Sequence, residues 1–370
     1  MEPASVPPPP PTLSVPYEQI HQMVTAEFTV EEGFIEYNTP TFYIKPQPTL
    51  KQAFVRLHAQ FASKQLVPVL RKRGDRIMLQ VVFKPPVKQG NLKVNLALFI
   101  ATIITTLVTG YLSASSSAML TPELMPNPWI GAIMFSAGLM AILGSHEMGH
   151  KLMANRHNIE ATYPYFIPGL PPLGTFGAVI QQKELPPNKD SLFDLGISGP
   201  AIGFVVTAIV TAIGIRLSVL LNEVPPSAQV VPLPELFGVP LPFLFGLTLI
   251  LSPPPGNGSI IWLHPLVKAG YIGMIVTMLN LMPIGQLDGG HIAHVLFDER
   301  VKLAMSFIAM IGLVLTGYWF MAILAFLIAR IKHPDPLDGI SQLSTSRKFA
   351  SILVIVIVVL TFAILDPLFL

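Results

Sequence analysis

Long apolar runs constrain this chain more than any other feature of its sequence. Six stretches, at residues 94–113, 129–143, 197–221, 266–282, 304–329 and 349–368, carry at most one charged residue each. Each approaches the ~20 residues that carry a helix across a hydrocarbon layer about 30 Å thick. The second run keeps a helical pattern past residue 150. Composition points the same way, with 51% hydrophobic and 12% charged residues against roughly 25% charged in soluble domains. The mean hydropathy is +0.59. A net charge of +2 leaves no basic footprint for nucleic acid. The absence of cysteine excludes disulfides, thiolate metal sites, iron–sulfur clusters and a cysteine nucleophile. Any transition metal is left to His, Asp or Glu.

Charge is unevenly distributed. Residues 1–93 hold 18 of the charged residues, and the 277 residues after them hold 26. The chain therefore divides into a small soluble part and a large membrane part. Residues 1–16 contain seven prolines and are expected to be a disordered tail. No apolar core follows Met1, so the segment does not read as a signal peptide. Residues 17–86 read as a compact α+β domain. Strand-like sequence covers 28–44, helical spacing of Ala53, Leu57, Phe61 and Leu66 covers 50–66, and two strands flank a turn at Gly74-Asp75 within 66–83. Pro85, Pro86 and Gly90 mark a linker. The membrane domain is expected over 92–370. Residues 236–251 are apolar but short and interrupted by Pro240, which suggests a re-entrant segment. Six crossings place both termini on one side. Nine Lys/Arg against six near the helix ends put the N-terminus in the cytoplasm and the protein in the cell membrane.

The strongest chemical signal is His146-Glu147-Met148-Gly149-His150. On a helix, residues i and i+4 share a face, so both imidazoles reach one metal ion, with Glu147 alongside as a general base. Ionisable groups within a span cost roughly 2.5–3.5 kcal/mol each on insertion scales, which argues against three of them serving only packing. Zinc chemistry needs a third protein ligand and an open position. The i+10 histidine of soluble enzymes is missing. Arg156 occupies that place, and His157 reads as a helix cap with Asn158. A better candidate is Asp288, in Asn280-Leu-Met-Pro-Ile-Gly-Gln-Leu-Asp-Gly-Gly-His291 at the end of the fourth run. Pro283 breaks the helix there and Gly289-Gly290 permit close backbone approach. His291 and His294 are rivals, expected on a helix leading back to the surface.

These two motifs resemble the site-2 protease family of intramembrane zinc metalloproteases. Ser198-Gly199-Pro200 is similar to the family's signature opening the next core helix, and Gly174-Thr-Phe-Gly-Ala178 is similar to its preceding loop. No insert the size of a PDZ module separates the motifs, and no CBS pair is expected after the last span. The soluble N-terminal unit with GTFGAVI and LFDLGISGP resembles the archaeal, cyanobacterial and plastid EGY-like branch. The resemblance implies one zinc ion held by His146, His150 and Asp288, with Glu147 as the base. It also implies hydrolysis of a peptide bond within or near a transmembrane segment of a single-span membrane protein. Asn280 is expected either to donate to the substrate carbonyl or oxyanion or to hydrogen-bond between helices. The loop at 161–182 is expected to add a strand to the unwound substrate, with Gly174, Phe176, Gly177 and Val179 as substrate-binding residues and the two glycines bringing the loop close to the zinc.

The expected architecture is mainly α: a polytopic six-helix membrane bundle with a re-entrant segment and a membrane-associated β-hairpin loop, plus the small N-terminal α+β domain. An ion-coupled transporter relaying charge through His, Glu and Asp is the rival class. It does not account for the i, i+4 histidine pair with its adjacent glutamate, and no inverted repeat is visible.

Overall fold

Alternation of apolar residues in the first hundred positions is realised as a four-stranded sheet with two helices. The structure is a computed structural model that describes residues 15–84, 90–223, 242–258, 260–315, 317–330 and 334–362. The proline-rich stretch at 1–14 and the linker at 85–89 lie outside the described residues, as do 224–241 and 363–370. The elements of the N-terminal unit are α1 (Tyr17–Glu27), β1 (Val30–Glu36), β2 (Thr39–Ile44), α2 (Leu50–Ala62), β3 (Leu66–Arg73) and β4 (Arg76–Phe83). The sheet is antiparallel with order β1-β2-β4-β3. Leu66 and Leu70 on β3 and Ile77, Leu79 and Val81 on β4 point inward at every second position, the period of a half-buried strand. Helix α2 buries Ala53, Phe54, Leu57 and Phe61 on one stripe. Tyr37 and Asn38, at φ 46° and 62°, form the two-residue connection of β1 to β2, the left-handed pair a tight hairpin requires.

This unit takes in two segments from far along the chain, residues 185–191 and 334–342. Leu70 donates its N–H to Leu337 O at 2.9 Å and accepts from Gly339 N at 3.2 Å, which lays 337–339 parallel along β3. Leu337 and Asp338 donate in turn to Pro186 O and Pro187 O, both at 2.9 Å. Arg71 Nη1 donates to the carbonyls of Leu70, Pro336 and Leu337 at 2.7–2.9 Å. Lys51 pairs with Asp190 at 3.0 Å. Leu337 joins the apolar core around Phe42, Phe54 and Phe61.

The second unit is helical. Among the described residues, three helices are long and apolar enough to cross a membrane: α3 (Leu92–Leu120), α4 (Pro128–Arg156) and α5 (Lys189–Leu217). Between α4 and α5 lies a hairpin of β5 (Tyr165–Pro168) and β6 (Thr175–Val179), the β-hairpin read from the sequence. Beyond α5, β7 (Val219–Leu221) pairs with β8 (Ile260–Trp262), and α6 (Phe243–Leu251) sits between them in sequence. The apolar run at 236–251 is thus described only over α6, whose nine residues reach about 14 Å at 1.5 Å each, short of a crossing. Then come α7 (Pro265–Asn280), α8 (Asp288–Leu296), α9 (Glu299–Leu315), α10 (Trp319–Ala329) and α11 (Thr345–Phe362).

The run at 304–329 is not one crossing helix. Gly317 adopts φ 87° and Tyr318 donates its N–H to Leu313 O at 2.8 Å, so the chain turns back there. Leu313 on α9 and Ala322 and Ala325 on α10 share one apolar cluster. Only glycine takes that backbone conformation at no steric cost, which is why an unbroken apolar run becomes two helices.

Candidate metal centre

The two ligand-bearing segments are positioned by ordinary helix chemistry. Helix α4 starts at Asn127, whose side chain accepts from Trp129 N at 3.0 Å, with Pro128 in the first turn. Both are favoured start signals. It ends at His157, followed by Asn158 at φ 55°. Asn158 donates to Asn155 O at 3.1 Å and Ile159 to Ala154 O at 2.8 Å, a paired closure that satisfies the last carbonyls. His150 lies about two turns, and His146 and Glu147 about three turns, before that end, and all three are buried.

Helix α7 stops at Asn280, and the loop through Pro283 and Gly285 delivers Asp288 as the first residue of α8. A carboxylate at that position is favoured by the helix dipole. Gly289 and Gly290 lie so close to the loop that a Cβ would sit 2.0 Å from Leu281 O and 2.3 Å from Gly285 O. The Gly-Gly pair is therefore what lets α8 begin directly beneath the break.

Three ligand atoms converge. His146 Nε2 and His150 Nε2 lie 3.1 Å apart, and Asp288 Oδ2 is 3.3 Å from the first and 3.2 Å from the second. A tetrahedral zinc ion with bonds near 2.0–2.1 Å has ligand–ligand edges of about 3.3 Å. The donor set fits zinc in chemistry as well as size. His150 Nδ1 is 2.9 Å from Leu195 O, so that nitrogen carries the proton and Nε2 turns its lone pair toward the cluster. Two imidazole lone pairs and a carboxylate in a buried space call for a cation between them. Among the described residues, His146, His150 and Asp288 are the one such group.

Helix α5 packs against this cluster through glycines. A Cβ on Gly199 would stand 2.1 Å from His150 Nε2, one on Gly203 3.1 Å from His146 Nδ1, and one on Gly196 2.9 Å from Asp288 O. Gly199 belongs to the Ser-Gly-Pro segment singled out in the sequence. Gly196 and Gly203 were missed there, although the spacing 196/199/203 places all three on one helical face.

Glu147 Oε1 is 4.0 Å from His146 Nε2, and its carboxyl group faces the backbone N–H of Ile180, just past β6. Asn280 Nδ2 is 3.3 Å from His146 Nε2, so Asn280 is brought to the cluster. The remaining expected residues stand on the hairpin between α4 and α5. Phe176 and Val179 are exposed on the hairpin. Gly174, at φ 78°, brings its turn against α3, where a Cβ would lie 2.7 Å from Thr109 Oγ1, and Gly177, at φ 101°, has open space around it. His157 binds Asp194 Oδ2 at 3.0 Å, and His294 lies 3.3 Å from Lys302 Nζ.

Comparison with known proteins places these residues in context. The family described as Peptidase family M50 matches residues 134–324, which is more than half of the chain and includes every residue of the cluster. A protein of Arabidopsis thaliana named "Probable zinc metalloprotease EGY1, chloroplastic" is 30% identical over 238 residues, covering 62% of this chain and 42% of that protein. The rice protein of the same name is also 30% identical over 238 residues, covering 62% of this chain and 40% of its own length. The Arabidopsis EGY2 protein is 30% identical over 206 residues, 55% of this chain and 34% of that one. The chain thus spans about two-fifths or less of the length of these curated relatives. No solved structure matches.

Proposed function

Because the chain belongs to peptidase family M50, the site-2 metalloproteases, we propose that it is a zinc endopeptidase cutting a membrane protein within or near a transmembrane segment. The convergence of His146, His150 and Asp288 within 4.8 Å of one another is the observation that carries this reading. Those three residues would hold zinc, which when bound acts as a Lewis acid and brings the pKa of water toward ~7. Glu147 takes the water proton at its carboxylate and later gives it to the leaving amine. The Asn280 amide, 3.3 Å from His146 Nε2, donates to the carbonyl under attack.

The substrate backbone must be unwound, because helical carbonyls are hidden in i→i−4 bonds. We assign its capture to the hairpin. Among the described residues β6 pairs only with β5, leaving one edge open to an extended peptide. Since Ile180 turns its N–H to Glu147, period-two alternation turns the Ala178 N–H to the same edge. Gly174, Phe176, Gly177 and Val179 shape that loop. His146 lies 17 residues beyond Trp129, about 26 Å along α4. If Trp129 marks one interface, cleavage falls inside the hydrocarbon near the opposite face. A cytoplasmic N-terminus completes the reading, with single-span proteins as substrates.

Replacing Glu147 by Gln tests it. Zinc content should stay at one per chain while cleavage of a single-span substrate falls about 10²–10⁴-fold, the usual worth of a general base. Near-wild-type turnover by that variant would remove Glu147 from the mechanism.

A further inference from the structure

We infer that His157, Asp194 and Arg347 form a clamp that orients the His150 imidazole and thereby sets how tightly the cluster holds zinc. The inference rests on the reading of His146, His150 and Asp288 as zinc ligands. Asp194 stands on α5 and is gripped from two other helices. Arg347, in the first turn of α11, donates Nε to Oδ1 at 2.9 Å and Nη2 to Oδ2 at 2.6 Å. His157, the C-terminal cap of α4, donates Nε2 to Oδ2 at 3.0 Å. The three side chains are 17–29% exposed. A two-pronged guanidinium–carboxylate pair fixes both distance and orientation, which a single contact does not.

The link to the metal cluster is one peptide long. Asp194 precedes Leu195, whose carbonyl faces His150 Nδ1 at 2.9 Å and also accepts from Ser198 Oγ at 3.0 Å. That carbonyl decides which His150 nitrogen keeps its proton and where the ring points, a partner of the kind that tunes metal ligands. His157 is seven residues beyond His150 on the same helix, about 10 Å along it. Helices α4 and α5 are therefore pinned to each other at two levels, His157 on Asp194 and the His150 ring on Leu195, with Gly199 packed against that ring.

Arg347 extends the clamp to the other ligand. Val354 and Ile357 on its helix pack in one apolar cluster with Ile292 and Val295 of α8, and Asp288 begins α8. Asp194 thus lies where the histidine-bearing helix and the helix packed around the aspartate-bearing one are tied together. The three positioning residues are 37 and 153 residues apart in sequence, and no local motif marks them.

The test measures zinc affinity of the full-length protein in lipid nanodiscs by competition with a chromophoric chelator. Asp194→Asn and Arg347→Gln should each bind zinc about 10–100-fold more weakly, the range seen when a partner of a ligand is lost. The double variant should be no weaker than Asp194→Asn alone, because one interaction is being removed twice. Arg347→Lys, which keeps charge but not the fork, should recover only part of the loss. Val210→Ala, a packing change on α5 away from the clamp, should lower thermal stability and leave zinc affinity unchanged. Wild-type affinity in Asp194→Asn and Arg347→Gln overturns the inference, as does an equal loss in Val210→Ala. If wild-type protein binds no zinc, or His146→Ala binds as much as wild type, the ligand reading itself fails and takes the clamp with it.

Discussion

The interior of the N-terminal unit and the space around the metal cluster are filled in opposite ways. In the former, Phe42, Phe54 and Phe61 are fully buried beneath the sheet, and large apolar side chains set the distance between elements. Around the cluster, Gly196, Gly199 and Gly203 bring the backbone of α5 against His150, His146 and Asp288. In water, burial of a ring is itself a driving force of roughly 25 cal/mol per Å² of apolar surface. Between helices in a bilayer that force is absent, since lipid tails are as apolar as leucine, and close backbone contact through small residues takes its place. One region tolerates adjustment by repacking side chains. The other is built on backbone contacts that cannot give way without moving a ligand.

Phe54→Ala should produce the larger change in stability. A fully buried phenylalanine truncated to alanine costs about 3–5 kcal/mol. The loss should appear as unfolding of the N-terminal unit in thermal scans and in protease sensitivity at 17–84. Zinc content should not change, because none of the ligands belongs to that unit. Loss of zinc in this variant would make the N-terminal unit a structural part of the metal site and end the division drawn above. Deletion of residues 1–86 is a less clean test, because it would strip the partners from 185–191 and 334–342 as well.

Gly199→Ala probes the other side of the comparison with a single methyl group. Its Cβ would lie 2.1 Å from His150 Nε2, and the ring cannot swing aside without leaving Leu195 O. Overpacking of this kind costs about 1–3 kcal/mol, expected here as zinc affinity about 10–100-fold weaker by chelator competition. Gly74→Ala is the matched substitution in the N-terminal unit. Nothing lies within 4 Å of its Cβ, and only its φ of 63° resists, so the cost should be about 1 kcal/mol with zinc untouched. Equal zinc affinity in Gly199→Ala and wild type would show that the helices part more readily than the glycine contacts imply.

Both regions are foretold by their sequences where the signal is local. The helix at 50–62 and the strands of 66–83 follow from period-3.6 and period-2 apolar spacing with a turn at Gly74-Asp75, all of which are local signals. The same holds for the His146/His150 pair, set by one helical turn, and for the break at Pro283 that delivers Asp288. What escaped reading depends on partners distant in sequence. Residues 337–339 lie along β3 through backbone bonds to Leu70, and nothing in Pro-Leu-Asp-Gly specifies that partner. Asp194 and Arg347 meet across 153 residues. The turn at Gly317 hides inside an apolar run because its signal is one glycine's positive φ, which hydropathy does not register. Asn158, by contrast, was readable as a helix end because asparagine tolerates that conformation.

The last expected effect concerns catalysis alone and separates the hairpin from the cluster beside it. Ile180 faces Glu147 with its N–H, so the outward N–H groups on β6 are those of alternate residues, Ala178 among them. Ala178→Pro removes that donor and fixes φ, which a ladder does not accept in an inner position. Cleavage of a single-span substrate should fall about tenfold, the worth of roughly one hydrogen bond of about 1.4 kcal/mol. Zinc affinity should remain at the wild-type value, since no ligand lies between 161 and 182. Val179→Ala is the companion variant. Its side chain is half exposed and its backbone still donates, so substrate pairing through main-chain groups predicts less than a twofold change. The pairing model fails if Ala178→Pro cuts as well as wild type. It also fails if Val179→Ala is the worse of the two, because the hairpin would then be reading the substrate through side chains.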